Sequence, residues 1–381
     1  MSYSDILKLK KEVKSTREKS FVRHIVVGSD LFSVSLYQTL VEKFGANEVK
    51  LICDRPISEQ ELTPQGPSTL RGEASIKLVR KMFPNTELTV VEKPSVFFKD
   101  MEFKPFGGRA KSEKLLWSED FFVAPRAIVN WNELCPILNS PELIAKIESE
   151  KLPYILSNIL KVAPEDLIAP AHFRLETTKG FDLECEFLYW GKGPLNFLNL
   201  FKNKEELSDK FIEFCEQTNT PAKLAIKMVF EIPITDMVET IFIPLSYTHE
   251  WGHFIGEFTN LNDGSQVGEF ICFVDPEHND EEELSKKVRA LKKSLEKIFE
   301  KFSATKYSEY ITLSESAPSL TIDDALFSEV AKELDHLKFI ATNAPLIHLD
   351  IIDHEKTVES REVHEFARSL ANYREIVASL N

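Results

Sequence analysis

Three observations predict an α/β protein with a doubly wound sheet. An apolar run ends in glycine, a helical segment follows it directly, and a second apolar run ends in an acid. Arg23-His24-Ile25-Val26-Val27-Gly28 has the continuous apolar character of a parallel strand buried on both faces. Leu31, Val34, Leu36, Leu40, Val41 and Phe44 then recur at helical spacing until Gly45 stops them. Val49 to Asp54 forms the second strand, so residues 23–54 read as a βαβ unit. After a Pro- and Gly-bearing loop come a helix over 68–83 and a third strand over Glu87–Glu92. Together these predict a Rossmann-like, doubly wound dinucleotide-binding-type domain.

The rest of the chain alternates differently. Residues 141–162 read mainly as helix, and Phe173–Leu188 as a hairpin about Thr178-Lys179-Gly180. Residues 204–218 are helical. From Leu224 to Asp275 four strand-like segments follow, the last two joined by the turn Asn262-Asp263-Gly264-Ser265. Asp280–Phe302 carries acids at its start and a stripe of Leu284, Val288, Leu291, Leu295 and Ile298, which predicts an amphipathic helix. A short strand at Leu337–Ala341 and a helix over 357–379 complete the pattern. The expected organisation is a charged helical arm over 1–20 and a dinucleotide-type domain from 20–115, 165–205 and 325–381. It is interleaved with a mixed β-sheet plus helix substrate-type domain from 116–164 and 206–324.

Composition narrows the function. Asp plus Glu total 61 against 46 Lys plus Arg, a formal charge of −15, which argues against a nucleic-acid partner because phosphate contacts need a positive surface. No apolar run approaches the ~20 residues that span a bilayer. Cys53, Cys135, Cys185, Cys215 and Cys272 are scattered and odd in number, neither a disulfide framework nor a CxxC metal site. These features read as a cytoplasmic protein.

The glycine turn is the first candidate site. A GxGxxG turn uses its first glycine to bend, its second to admit a pyrophosphate and its third to pack helix on strand. Here it reads Gly28-Ser29-Asp30-Leu31-Phe32-Ser33: the first glycine is present, Ser33 stands third, and Asp30 replaces the second. Asp30 either caps the helix with its own carboxylate or adjusts to a bound dinucleotide. Asp54, at the end of the second strand, is positioned for a ribose.

With those residues in view, the chain resembles the flavin-dependent oxidoreductases of the amine oxidase and phytoene desaturase type. The likeness rests on Ile25–Asp54, on Gly107-Gly108-Arg109-Ala110, and on Thr89–Lys93 as an alternative acid-ended strand. Phe173–Trp190 looks like the family's inner hairpin, residues 267–318 like its substrate-domain ending, and Phe339-Ile340-Ala341-Thr342-Asn343 like its second cofactor signature. The resemblance implies FAD as cofactor. Gly28, Ser29, Asp30 and Ser33 would lie at the pyrophosphate, and Asp54 or Glu92 at the ribose. Gly107, Gly108 and Arg109 would lie by the phosphates or isoalloxazine, with Thr342 and Asn343 where the family places Gly-Asp. Three of these motifs are degenerate, which points to a cofactor-poor or non-catalytic binding or scaffold relative, with a small molecule or a protein as partner. The alternative is an active FAD-dependent oxidoreductase on a small or apolar substrate.

A competing signal is His249-Glu250-Trp251-Gly252-His253, an HExxH pattern that on a helix binds zinc and supplies a general base. Glu257, Asp263 and Glu269 are the third-ligand candidates. The surrounding β-branched and aromatic residues favour a strand, in which the two histidines lie ~13 Å apart and share no metal. His348, Asp350, Asp353, His354 and Glu355 read as a polar loop. Trp117, Trp131, Trp190 and Trp251 read as core, or as the lining of an apolar cavity. No GxSxG and no GxxxxGK[ST] occurs.

Overall fold

The structure is a computed structural model. It describes residues 18–53, 57, 62, 66–67, 70–93, 95–105, 124–135, 137, 140–147, 149–150, 154–158, 171–177, 180–218, 222–244, 253–274, 280–314, 323–330, 335–340, 344–345 and 363–380. Its centre is strand His24–Val27, every residue of which is buried. The strand lies in a five-stranded parallel sheet, in the order 337–339, 187–190, 24–27, 49–52 and 149–150. Val26 and Leu51 point to one face with helices Leu31–Phe44, Glu73–Met82 and Glu365–Ser379. Ile25, Val27, Ile52, Leu188 and Trp190 point to the other, with helices Pro194–Leu200 and Asp209–Gln217. Two apolar layers on opposite faces explain why these strands read as unbroken hydrophobic runs.

A four-stranded sheet, in the order 18–21, 181–185, 173–177 and 154–158, contributes Phe173, Leu175 and Leu183 to the same apolar cluster as the second face. The hairpin about Gly180 forms with Phe173 opposite Cys185, and Gly180 takes a φ of +89°. Two expectations need correction here. Of the expected helical arm over 1–20, residues 1–17 lie outside the described residues, and 18–20 belong to strand Glu18–Phe21, which pairs in parallel with 181–184 because backbone hydrogen bonds to a sheet edge override weak helix propensity. Among the described residues of the expected helix over 141–162, only Pro141–Lys146 is helical, and Ser149–Glu150 and Tyr154–Asn158 are strands. Pro153 supplies no amide hydrogen to a helix, and Tyr154-Ile155 suits a pleated surface. The third expected strand also departs from the prediction. Thr89–Val91 pairs antiparallel with Arg126–Ile128, which in turn pairs with Leu70–Arg71, in a separate three-stranded sheet. Its residues are exposed or half-buried, unlike a strand covered on both faces, and 149–150 takes the fifth place in the parallel sheet.

The second large sheet has seven strands, in the order 307–314, 222–230, 266–274, 253–260, 241–244, 96–99 and 102–105. Helix Glu281–Ile298 covers one face with Val288, Leu291 and Leu295 against Leu224, Ile226, Met228, Phe254 and Phe270. Asp280 caps it by accepting from Glu283 N at 3.0 Å. The hairpin turn forms as expected, with Gly264 at a φ of +87° and Asp263 Oδ1 accepting from Ser265 N at 2.9 Å. Strands 96–99 and 102–105 come from a stretch the sequence assigns to the dinucleotide-type block, yet 96–99 pairs with 241–244 in this sheet.

A buried ionic junction ties the seven-stranded sheet to the three-stranded one. Arg71 and Arg126 are cross-strand partners, so two like charges face each other at about 1 % exposure. Glu257 from strand 253–260 resolves the repulsion: its Oε1 lies 2.5 Å from Arg71 Nη2 and its Oε2 lies 3.1 Å from Arg126 Nη1. Thr240 Oγ1 donates to the same carboxylate at 2.5 Å, and Arg126 Nε donates to Val238 O at 3.0 Å. Removing one partner leaves the others buried and uncompensated. Glu257→Ala is therefore expected to lose about 3–5 kcal/mol of stability in urea unfolding, whereas Glu73→Ala, which removes only an exposed pair with Lys77, changes it by about 0.5 kcal/mol or less.

Burial also makes stability depend on pH. His24 is stacked on Phe44 and Phe187, and burial, with Arg23 adding to it, lowers its pKa to about 4. His364 is lowered to about 3 by burial, then by Arg71 and Arg368. Both folded values lie below the unfolded one, so the stability they protect is complete above an unfolded pKa of about 6.5 and is lost as pH falls towards the folded values. Each contributes a slope of up to about 1.4 kcal/mol per pH unit in that window. His24→Phe should show a shallower loss of stability between these limits than the wild type in urea melts across pH.

Candidate functional site

The candidate site is the end of strand 24–27 where the chain turns into helix 31–44. Gly28 adopts a φ of +146°, and its N donates to Ile52 O at 3.0 Å, so the turn is pinned to the neighbouring strand. Asp30, in an extended conformation, caps the helix. Its Oδ1 accepts from Phe32 N at 2.9 Å and Ser33 N at 3.2 Å, and its Oδ2 accepts from Ser33 Oγ at 2.5 Å. One carboxylate thus satisfies two helix N-terminal amides and the hydroxyl of the residue three positions on. Burial pushes the Asp30 carboxyl above the usual aspartate range, against the opposing pull of the Ser33 and Phe32 hydrogen bonds. Ser29 and Ser33 are buried in the same turn.

Gly191 belongs to this site and was missed in the sequence. It follows strand 187–190, its N donates to Val27 O at 2.7 Å, and it faces Gly28 across the turn. A Cβ on Gly191 would lie 2.1 Å from Ser33 Oγ and 2.9 Å from Val27 O, and a Cβ on Gly28 would lie 2.4 Å from Ser33 Oγ. The available signal was Trp190-Gly191-Lys192-Gly193 closing an apolar run. The two glycines make room, and the Asp30–Ser33 pair fills it.

The remaining candidates distribute as follows. Glu92 is exposed at the end of strand 89–91, outside the parallel sheet. Asp54, Gly107, Gly108, Arg109, Thr342 and Asn343 lie outside the described residues, as do Trp117, Trp251 and the 348–355 cluster. His253 opens strand 253–260, opposite Pro244, while 249–252 are outside the described residues. Among the described residues no group of three or more His, Cys, Asp or Glu is arranged to hold a metal. Trp131 packs edge-on to Phe32 and Phe366, and Trp190 edge-on to Phe197, so both are core residues.

A diphosphate at a helix N-terminus needs free amides and a position clear of negative charge. At this turn the Phe32 and Ser33 amides are already bonded to Asp30. An ionised carboxylate about 5 Å from a unit negative charge is repelled by about 3 kcal/mol at an effective dielectric of about 20. The turn as built does not fit a dinucleotide pyrophosphate.

No protein-family model and no curated protein sequence matches the chain. Solved structures do match in shape. Putrescine oxidase, in its wild-type form bound to putrescine, aligns with a TM-score of 0.51 at 10 % identity over 95 % of this chain and 99 % of that one. An oxidoreductase from Methanosarcina mazei aligns at 0.52 and 11 % over 94 % and 100 %. Reduced UDP-galactopyranose mutase aligns at 0.50 and 8 % over 94 % and 96 %. The fold is therefore that of the FAD-dependent oxidoreductases of the amine oxidase type. Among the described residues no helix is long and apolar enough to cross a membrane.

Substitution at Asp30 separates its cap from its charge. Asn caps as well as Asp, so Asp30→Asn should be at least as stable as the wild type at neutral pH, and Asp30→Ala should lose about 1 kcal/mol. Because the folded pKa of Asp30 is raised, ionisation opposes folding. The advantage of Asn should therefore be present at neutral pH and fade as pH falls to the unfolded aspartate value, as read by urea midpoints.

Proposed function

We propose that this chain is a non-catalytic binding or scaffold protein built on the flavin amine-oxidase fold, with a small molecule or a protein as its partner. The observation that carries this reading is the Asp30 carboxylate, which accepts from Phe32 N and Ser33 N where a cofactor phosphate would otherwise sit. Function resides in the site rather than the fold, and at this turn the chain supplies its own anion. The five cysteines are all free and buried, which suits a reducing compartment such as the cytoplasm.

A second reading, an FAD-dependent oxidoreductase acting on a small or apolar substrate, draws on Gly28 and Gly191, which keep close backbone approach at the ends of adjacent parallel strands. Titration of the purified chain with FAD, followed by flavin absorbance and fluorescence quenching, distinguishes the two. The wild type is expected to be colourless and to take up no FAD, and Asp30→Gly to gain measurable affinity. Stoichiometric uptake by the wild type would overturn the scaffold reading in favour of the oxidoreductase.

A further inference from the structure

The seven-stranded sheet ends on strand Tyr307–Ser314, and among the described residues no strand pairs with its outer side. Open edges of this length are a template for another strand, and soluble proteins ordinarily blunt them with charge, proline or a bulge. Here the edge presents two exposed large apolar residues, Tyr310 at 39 % exposure and Ile311 at 47 %. Ile311 also lines a groove of about 500 Å³ against helix 281–298, with Glu281, Leu284, Ser285, Val288 and Arg289. The helix runs antiparallel to the strand here: Lys292 Nζ lies 2.5 Å from Glu309 Oε2, and the earlier helix positions lie beside Ile311.

We propose that this edge and groove form a two-fold interface with a second copy of the same chain, the 307–314 strands pairing antiparallel about Ile311. Strand geometry restricts the choice of register. Opposed residues of an antiparallel pair point to the same face, so a two-fold axis normal to the sheet must pass midway between one residue and its own copy. Centring on Glu309 sets acid against acid. Centring on Ile311 sets Ile311 against Ile311, Tyr310 against Thr312 and Ser308 against Ser314, with no like charges opposed.

The helix supplies independent complementarity. Glu281, Ser285 and Arg289 are spaced four apart along the groove. The same axis runs the two 281–298 helices antiparallel, and with its midpoint at Ser285 it places Glu281 of each copy against Arg289 of the other. The patch is thus self-complementary in charge, as an isologous interface requires. It lies on a different sheet from the Gly28 turn, so it stands or falls independently of flavin binding.

Sedimentation velocity on the full chain from about 1 to 100 µM tests the inference. The wild type should show a reversible monomer–dimer equilibrium. Ile311→Lys, which opposes two ammonium groups at the axis, should remain monomeric with an unchanged circular dichroism spectrum and with the melting temperature that the wild type shows at concentrations where it is monomeric. Arg289→Glu should weaken association about tenfold or more, and the Glu281→Arg/Arg289→Glu double reversal should restore it to within about threefold of wild type. A wild type that is monomeric throughout, an Ile311→Lys variant that still dimerises, or a double reversal no better than the single would each overturn the proposal.

Discussion

Strand His24–Val27 must exclude water from both of its faces, and most of the architecture follows from that constraint. One face is covered by helices 31–44, 73–82 and 365–379. The other is covered by helices 194–200 and 209–217 and by the four-stranded sheet. At roughly 25 cal/mol per Å² of apolar surface buried, a central strand with two covered faces dominates the stability of its neighbourhood. It also fixes where the chain turns: the strand can end only where Gly28 releases it, and the helix that follows must begin against Gly191.

At that junction the helix N-terminus is satisfied from within the chain. A helix N-terminus next to a parallel strand has unsatisfied amides and a favourable field for an anion. A protein meets that requirement with a bound phosphate or with a side chain, and Asp30 takes the second course. The choice leaves the strand–turn–helix geometry intact, because the hydrogen-bonding demand of the helix is met either way. The fold is shared with proteins about a tenth identical in sequence, since packing periodicity is preserved under many substitutions.

The Arg71–Glu257–Arg126 junction shows a second non-local constraint. Two arginines brought face to face by the three-stranded sheet require a shared acid, and it arrives from a strand more than a hundred residues later in the chain. Such an arrangement fixes the orientation of one sheet on the other, because a carboxylate can bridge both guanidinium groups only within a narrow range of distances. His364, near the same charges, is held neutral first by burial and then by Arg71 and Arg368, against the opposing pull of Glu257.

The sequence by itself determined the elements whose hydrogen bonds and apolar periods are local. These include the βαβ unit of 24–52, the hairpins about Gly180 and Gly264, the helix capped by Asp280, and the option that Asp30 caps its own helix. Their turns, caps and apolar periods depend on contacts within a few residues, and the strands of the βαβ unit pair across a single intervening helix, so spacing reveals them. Tertiary structure alone decided which sheet receives strands 89–91, 96–99 and 149–150, that Gly191 completes the Gly28 turn, and that Glu257 joins two arginines. Strand partners and buried charges are chosen by whichever distant segment can satisfy an open backbone edge or an uncompensated ion, and sequence spacing carries no record of that choice.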